Sequence, residues 1–233
     1  MSFEIDRVPT GVDELDRILN GGFPRGSITL IAGGPGTGKT LTALQFLYNG
    51  AVKYSEKGML IIFNESAQTL KQFTKTMGWD FDRLEGENKV KILDFMVVER
   101  SGLESMMDMI FEKAISFSPQ RLVIDSLTAL TMSLERKDEI RVVLSIIHRL
   151  LRKLGCTSIV ISETPWGVDS LGSGVEEFVV DGIIKLELLP VKGELKRRLA
   201  VVKMRGVGHE MKFYQYSIVP KDGIVITPYP EVF

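Results

Sequence analysis

Residues 33–40, which read GGPGTGKT, constrain the fold of this chain more than any other stretch. They match the pattern G-x-x-x-x-G-K-[ST] at every fixed position. An apolar run, Ser27–Ala32, precedes them, and a segment with helical apolar spacing, Thr40–Lys53, follows them. Glycines let backbone N–H groups approach phosphate oxygens, and the start of a helix adds the positive end of its dipole. Because strand, turn and helix come in this order, the sequence predicts a phosphate-binding loop rather than an incidental glycine-rich turn.

The residue types in this loop predict a nucleotide with a divalent cation as its ligand. Lys39 would supply a mobile charge for the β- and γ-phosphates, and the Thr40 hydroxyl would be offered to Mg²⁺. ATP or ADP together with Mg²⁺ is therefore the predicted cofactor set, although no adenine-specific contact follows from the spacing. The predicted nucleotide contacts in this segment are Gly34, Pro35, Gly36, Thr37, Gly38, Lys39, Thr40 and Leu41.

The hydrophobic pattern up to about residue 162 predicts an α/β fold. Short continuous apolar runs alternate with helical segments, which is typical of a parallel sheet covered by helices on both faces. The predicted strands are Ser27–Ala32, Gly58–Phe63, Arg121–Ile124 and Thr157–Ser162. The predicted helices are Thr40–Lys53, Ser66–Met77 and Lys137–Leu154.

The pattern changes after about residue 176, where β-like runs follow one another without a helical period between them. Turn signals such as Lys192-Gly193 separate these runs. The predicted strands of this part are Val179–Leu189, Leu195–Met204, Phe213–Ile218 and Ile224–Ile226. We expect them to form an antiparallel extension of the same sheet, and residues 1–233 to form one domain.

Carboxylates follow three of the predicted strands. Asp125 ends the run 122–124 and is predicted to hold the magnesium ion with Thr40. The alternative for Asp125 is a helix cap, since Asp-Ser steps often begin helices. Glu65 follows Asn64 at the end of another strand and is predicted to activate the attacking water; a solvated or capping role is the alternative. Glu163 ends a third strand and either senses the γ-phosphate or is a solvated loop residue.

The charge balance excludes a chain-wide basic surface for nucleic acid. The chain has 29 Lys and Arg residues against 30 Asp and Glu, for a formal net charge of −1. Its one cysteine, Cys156, has no partner for an internal disulfide, so nothing indicates an oxidising compartment. No apolar run approaches the roughly 18 residues of a membrane span, and the first residues lack the apolar region of a signal peptide. We therefore predict a cytoplasmic protein with no membrane partner.

Several further motifs, in collinear order, give the chain a specific resemblance. They are TGVDELD at 10–16, GGFPRG at 21–26, VIDSLTAL at 123–130, GVEEFVVD at 174–181 and VKMRG at 202–206. Together with the phosphate loop they resemble the domains of KaiC, the cyanobacterial clock ATPase of the RecA superfamily, from about residue 5 to 228. The best match is the group of archaeal and bacterial KaiC-like ATPases with a single domain. The resemblance implies a RecA-like phosphate-loop NTPase fold.

The resemblance also implies that a neighbouring subunit completes the site. KaiC-type domains form hexameric rings with ATP at the subunit interfaces, so a homo-oligomer, most simply a hexameric ring, is expected. Lys203, Met204 and Arg205 match a family segment whose cations reach the γ-phosphate of the next subunit; from the sequence alone, Lys203 and Arg205 would be solvated strand-edge charges. His209 falls near a further family nucleotide contact, with one extra residue before Lys212 shifting the alignment. Glu65, Lys39, Lys203 and Arg205 are thus the expected catalytic residues.

Two departures from the family pattern bear on activity. The family commonly has paired glutamates where this chain has Asn64-Glu65. If the first position carries the base, Asn64 cannot accept a proton and hydrolysis is slow. The stretch Glu176-Glu177-Phe178 has no hydroxyl where the clock protein phosphorylates itself, so autokinase activity is not expected.

A nucleic-acid partner is not favoured by the sequence. The loop 164–174, which matches the DNA-binding loop of RecA relatives, has Trp166 and glycines but no Lys or Arg, whereas single-strand sites combine stacking with a basic groove. Trp166 is interpreted as a packing or subunit-contact residue, and His148 as a helix residue without a ligand role. One basic cluster is interpreted as a solvated hairpin tip, and it comprises Lys192, Lys196, Arg197 and Arg198.

Three functions remain at this point: an ATP-hydrolysing ring enzyme, a nucleotide-gated binding module with negligible turnover, and a DNA-dependent motor. No protein partner other than further copies of the chain is indicated.

Overall fold

A mixed sheet, with nine strands among the described residues, forms the centre of the molecule. The computed structural model describes residues 5–95, 102–132, 134, 136–165 and 179–227. Within these ranges the strands are β1 (Arg7–Val8), β2 (Phe23–Pro24), β3 (Ile28–Gly33), β4 (Gly58–Ile62), β5 (Val90–Asp94), β6 (Arg121–Asp125), β7 (Thr157–Glu163), β8 (Gly182–Val191), β9 (Glu194–Met204), β10 (Phe213–Val219) and β11 (Gly223–Thr227). The helices are α1 (Asp13–Ile18), α2 (Lys39–Lys53), α3 (Ala67–Thr76), α4 (Phe81–Gly86), α5 (Leu103–Phe117), α6 (Leu127–Thr131) and α7 (Lys137–Leu154).

The large sheet has the strand order β11-β10-β9-β8-β3-β7-β6-β4-β5, and β1 and β2 form a separate antiparallel pair. From β8 to β5 all neighbouring strands are parallel. Every residue of β3, β4 and β6 is buried, because helices cover both faces of this half. The predicted α/β fold, a mostly parallel sheet flanked by helices with a C-terminal antiparallel extension, is confirmed.

Two apolar cores lie on the two faces of the sheet. One contains side chains of α1 to α4 together with those of β9 to β11. The other contains side chains of α5, α6 and α7. The helix α7 begins with acidic residues and ends with basic ones, which suits its dipole. No helix within the described ranges combines the length and apolarity that a membrane crossing needs.

The prediction that the strands after about residue 176 form an antiparallel extension holds for only one edge of β8. This strand pairs in parallel with β3, from Thr29↔Gly182 to Gly33↔Leu186, and antiparallel with β9 on its other edge. A parallel connection needs about a dozen residues or more, and the stretch 164–181 between β7 and β8 has that length. The antiparallel extension therefore consists of β9, β10 and β11, while β8 completes the parallel half.

Candidate functional site

The phosphate loop joins the carboxyl end of β3 to the first turn of α2. Gly36 and Gly38 have φ angles of +74° and +87°, a left-handed conformation that favours glycine. Within the loop, the Thr37 hydroxyl donates to the Gly34 carbonyl at 2.8 Å. Leu41 is buried, so its side chain belongs to the core and its backbone alone can face a nucleotide. The predicted helix Thr40–Lys53 is confirmed; it begins one residue earlier, at Lys39, with Gly38 as the residue before it.

The Lys39 ammonium lies inside the loop, where Nζ donates to the Gly34 carbonyl at 2.9 Å. Burial lowers the pKa of Lys39, while the nearby carboxylates Glu163 and Asp125 oppose that shift. A cation that has already lost much of its hydration interacts strongly with an anion placed beside it. The loop therefore combines a desolvated positive charge with the N–H groups of a helix start.

Asp125 lies at the carboxyl end of β6 and accepts a hydrogen bond from the Thr40 hydroxyl at 2.6 Å. Burial raises the pKa of the Asp125 carboxyl, and the bond from Thr40 opposes this. The helix α6 is capped by Ser126, whose oxygen accepts from the Ala129 N–H at 3.1 Å. The capping function thus belongs to Ser126, and the Asp125 carboxylate faces the phosphate loop.

The Thr40 and Asp125 oxygens fit a magnesium ion. Mg²⁺ prefers hard oxygen ligands and is held in such sites by one or two carboxylates together with substrate phosphates and water. In the described part of the chain, no group of three or more His, Cys, Asp or Glu side chains is arranged to hold a metal by itself. These two residues would therefore hold Mg²⁺ together with phosphate oxygens.

Asn64, Glu65 and Glu163 lie at the same edge of the sheet. Glu65 is half-buried, and its pKa is raised by burial and, to a lesser degree, by the charge of Asp125. It is not the cap of α3, because Ser66 accepts the Thr69 N–H at 3.1 Å. The Asn64 amide donates to Glu163 Oε1 at 3.2 Å, so Glu163 has a side-chain partner rather than only solvent.

The predicted cations Lys203 and Arg205 lie at the opposite, amino edge of the sheet. Met204, between them, pairs with Gly182, which pairs with Thr29 near the start of β3. Thr29 lies four residues before the end of β3, so Met204 and Gly182 are about 13 Å from that end along the strand direction. The structure does not bring these residues to the phosphate loop of their own chain.

Both cations have contacts at this edge. Lys203 Nζ donates to the Val180 carbonyl at 2.7 Å. Arg205 Nη1 is 3.6 Å from Asp181 Oδ1, and its side chain is 62% exposed. His209 lies in the loop between β9 and β10, and its Nδ1 is buried without a hydrogen-bond partner in the described residues. Lys203, Met204 and Arg205 are therefore remote from Lys39.

The basic cluster at the β8–β9 hairpin does not form one surface. Arg198 Nε donates to Glu187 at 2.6 Å, and its guanidinium lies 3.7 Å from the centre of the Phe213 ring. Lys196 Nζ is 3.6 Å from Glu194, and Arg197 Nε donates to the Gly36 carbonyl at 3.2 Å. The prediction of a solvated hairpin tip is wrong for Arg197 and Arg198, because both side chains contact other parts of the protein. Their partners differ because neighbouring residues on a strand face opposite sides of the sheet.

A second side chain from the antiparallel extension contacts the loop, and the sequence had not indicated it. Tyr216, on β10, donates from its hydroxyl to the Thr37 carbonyl at 2.5 Å. The available signal was the alternation of Tyr214 and Tyr216 in a strand otherwise half-exposed, since a buried tyrosine hydroxyl needs a partner.

Trp166 and the rest of the segment 166–178, which includes Glu176-Glu177-Phe178, lie outside the residues that the structure describes. His148 lies on α7 and accepts a hydrogen bond from Arg152 at 3.3 Å.

The chain is similar in sequence to several known proteins. A family model described as "ATPase: KaiC" matches residues 8–231. The UPF0273 protein MJ1359 of Methanocaldococcus jannaschii is 34% identical, covering 95% of this chain and 96% of its own length. A UPF0273 protein of Thermotoga maritima is 35% identical, with 96% and 97% covered. The circadian clock protein KaiC2 of Synechocystis is 33% identical over 97% of this chain, which corresponds to 41% of that longer protein.

A solved structure is similar over the whole fold. The crystal structure of the KaiC-like protein PH0186 from Pyrococcus horikoshii has a TM-score of 0.88 and 37% identity, covering 97% of this chain and 100% of that one. The predicted RecA-like fold class and the predicted KaiC-like family are both confirmed. The chain is a member of the KaiC ATPase family.

Proposed function

We propose that this protein binds Mg-ATP and hydrolyses it within a ring of identical subunits, a hexamer by analogy with its family. Each subunit would hold the phosphates on residues 34–41 and orient an attacking water with Glu65. Lys203 and Arg205 would act on the nucleotide of the neighbouring subunit, with Met204 and His209 beside them. A cytoplasmic location, where ATP is abundant, is part of the proposal.

The observation that carries this proposal is the contact between Thr40 and Asp125 beneath the phosphate loop. A hydroxyl from the loop and a buried carboxylate from β6 meet where a nucleotide-bound magnesium needs oxygen ligands. When bound, Mg²⁺ would neutralise phosphate charge and orient the phosphate oxygens. Lys39 would bind the β- and γ-phosphates after leaving the Gly34 carbonyl.

The assignment of water activation to Glu65 rests on its position and its environment. A general base has to be near the reacting phosphate and needs a pKa that lets it accept a proton. Burial and the charge of Asp125 both raise the pKa of Glu65. Asn64 has no proton-accepting carboxylate, so Glu65 is the carboxylate of this pair.

The action of Lys203 and Arg205 on a neighbouring subunit rests on their distance from the loop of their own chain. A cation must touch the transferring phosphate to stabilise its charge, and such a contact is worth about 10³–10⁵ in rate. Residues separated from their own loop by most of β3 can do this only for another copy. Hydrolysis would then depend on assembly.

Subunit mixing tests this arrangement. Arg205→Ala subunits, added in increasing fractions to wild type at constant total concentration, should reduce the ATPase rate more steeply than their fraction. The matched control is Arg83→Ala, which removes an exposed arginine whose ion pair with Glu87 is local to α4. A loss proportional to the mutant fraction would contradict action between subunits. Light scattering with and without Mg-ATP gives the assembly state in parallel.

A second function, a nucleotide-gated module with negligible turnover, is favoured by Asn64. Its amide holds Glu163 at 3.2 Å, where the family commonly has a second glutamate beside Glu65. If this substitution limits hydrolysis, Asn64→Glu should increase the ATPase rate strongly while Mg-ADP affinity stays similar. An unchanged rate would count against this second function.

A further inference from the structure

The carbonyl groups of the phosphate loop accept hydrogen bonds from several directions. The Gly33 carbonyl accepts the Thr164 N–H at 3.1 Å, and the Gly38 carbonyl accepts the Thr42 N–H at 2.9 Å. The Gly34 carbonyl accepts Lys39 Nζ. These donors come from the end of β7 and from the loop and α2 themselves. The carbonyls of Gly36 and Thr37, in the middle of the loop, are not among the acceptors of these donors.

The antiparallel extension supplies the donors for these two carbonyls. Arg197 Nε, on β9, donates to the Gly36 carbonyl at 3.2 Å. The Tyr216 hydroxyl, on β10, donates to the Thr37 carbonyl at 2.5 Å. The extension also packs directly on the loop, because a Cβ added at Gly38 would lie 3.1 Å from the Ile218 side chain. Two strands outside the parallel half therefore contact the centre of the loop.

These two hydrogen bonds determine where the next N–H groups point. In a planar trans peptide unit, the C=O of one residue and the N–H of the following residue point in opposite directions. Holding the Gly36 and Thr37 carbonyls toward β9 and β10 therefore directs the N–H groups of Thr37 and Gly38 away from those strands. Successive N–H groups that point the same way form an anion-binding concavity.

We propose that Tyr216 and Arg197 are positioning residues for nucleotide binding, which hold the two central peptide units of the loop so that the Thr37 and Gly38 N–H groups face the phosphates. The inference rests on the proposed function, because it assumes that the loop binds a nucleotide. Neither residue needs to touch the ligand. Each would orient backbone N–H groups, and these N–H groups would contact the phosphates.

Tyr216 is the stronger of the two restraints. Its side chain is 2% exposed and packs in the core with α2, so its hydroxyl has a fixed position. Burial raises the pKa of the Tyr216 hydroxyl, which keeps it protonated and able to donate. Thr37 is 1% exposed, so its carbonyl has little access to water in place of the tyrosine. Arg197 is only half-buried, so its hydrogen bond to the Gly36 carbonyl is the weaker restraint.

The test compares two tyrosines on the same strand. Tyr216→Phe removes the hydroxyl that contacts the loop, whereas Tyr214→Phe removes one that donates to Glu210 at 3.1 Å. The dissociation constant of Mg-ADP is measured by titration calorimetry at 25 °C, and the melting temperature without nucleotide is measured separately. We expect Tyr216→Phe to bind Mg-ADP about two- to tenfold more weakly, which is the range for one hydrogen bond, and Tyr214→Phe to bind like wild type.

The comparison of affinity with melting temperature separates positioning from a purely structural role. A structural role would lower the melting temperature of Tyr216→Phe and leave the affinity of the folded protein unchanged; that result overturns the inference while the proposed function stands. If wild type itself does not bind Mg-ADP, the proposed function and the inference both fail.

A second variant covers the case in which Tyr216→Phe does not fold. Arg197→Lys keeps the positive charge but removes the Nε–H donor to Gly36. It should weaken Mg-ADP binding by about twofold or more, because the donor rather than the charge holds the peptide unit. An affinity equal to that of wild type overturns the inference.

Discussion

The carboxyl and amino edges of the parallel sheet differ in which functional side chains they bring together. At the carboxyl edge, side chains from separate parts of the chain meet within hydrogen-bonding distance, as Thr40 and Asp125 do, and as Asn64 and Glu163 do. At the amino edge, Lys203 and Arg205 are paired with the Val180 carbonyl and with Asp181. In the proposed function, the carboxyl edge would supply oxygen ligands for Mg²⁺ and backbone N–H donors for the phosphates. The amino edge has cations that contact groups of their own chain. The proposed ring would bring the amino edge of one copy against the carboxyl edge of the next.

The largest expected effect tests whether the amino edge takes part in catalysis at all. Arg205→Ala in every subunit should lower the steady-state ATPase rate by about 10³-fold or more, because the cation acts mainly on the transition state. Mg-ADP affinity should fall much less, since each loop retains its own donors. Rates from a phosphate-release assay and affinities from calorimetry check both parts. A rate within a few-fold of wild type would make the amino edge irrelevant to hydrolysis.

The second effect tests the carboxyl edge through its buried acid. Asp125→Asn should lower the ATPase rate by about 10²-fold and raise the Mg²⁺ concentration needed for half-maximal rate, because the amide is a weaker ligand than the carboxylate. The matched control is Asp94→Asn at the end of β5, where the carboxylate accepts the Ala67 N–H at 3.0 Å. Magnesium titrations of both variants provide the measurement. An unchanged magnesium dependence in Asp125→Asn would exclude this residue as a metal ligand.

The third effect is a pH dependence that belongs to the carboxyl edge alone. Burial and Asp125 raise the pKa of Glu65, so the base becomes protonated at a higher pH than an ordinary glutamate. Below that pKa the rate should fall about tenfold per pH unit, and the acid limb should lie above the ordinary value of about 4.3. Asp125→Asn, which removes the nearby charge, should shift the limb to lower pH. A limb at or below the ordinary value, measured as kcat against pH, would argue against Glu65 as the base.

The sequence predicted the carboxyl edge better than the amino edge for a physical reason. Parallel strands bring their carboxyl ends to one edge, so a phosphate loop after one strand and Asp125 after another are expected to be neighbours. The positions of Lys203 and Arg205 depend on the register of β9 against β8, including an irregularity at Ile183 and Ile184, and no local pattern encodes this. Their assignment came from family resemblance.

The contacts of Arg197 and Tyr216 with the loop were missed for a related reason. Both depend on pairing between strands that are distant from the loop in sequence. The local sequence around Arg197 is a basic hairpin, and such a sequence predicts a solvated tip whether or not the hairpin packs against the rest of the protein. The strand β5 was not predicted either, because its five residues lack a clear apolar run. In the structure most of them are only partly buried.

The smallest expected effect tests whether the two edges are independent within one chain. Asp181 accepts the Ile28 N–H at 2.9 Å and pairs with Arg152 at 2.6 Å, so it links the start of β3 to α7. Asp181→Asn should lower the free energy of unfolding by about 1–2 kcal/mol, less than a fully buried pair would cost because the Arg152 side chain is 41% exposed. Mg-ADP affinity at a concentration where the protein is monomeric should not change, because the loop lies at the other end of β3. Urea unfolding and calorimetry measure the two quantities. If affinity fell together with stability, β3 would transmit changes from one edge to the other, and the cations at the amino edge could influence nucleotide binding without any contact between subunits.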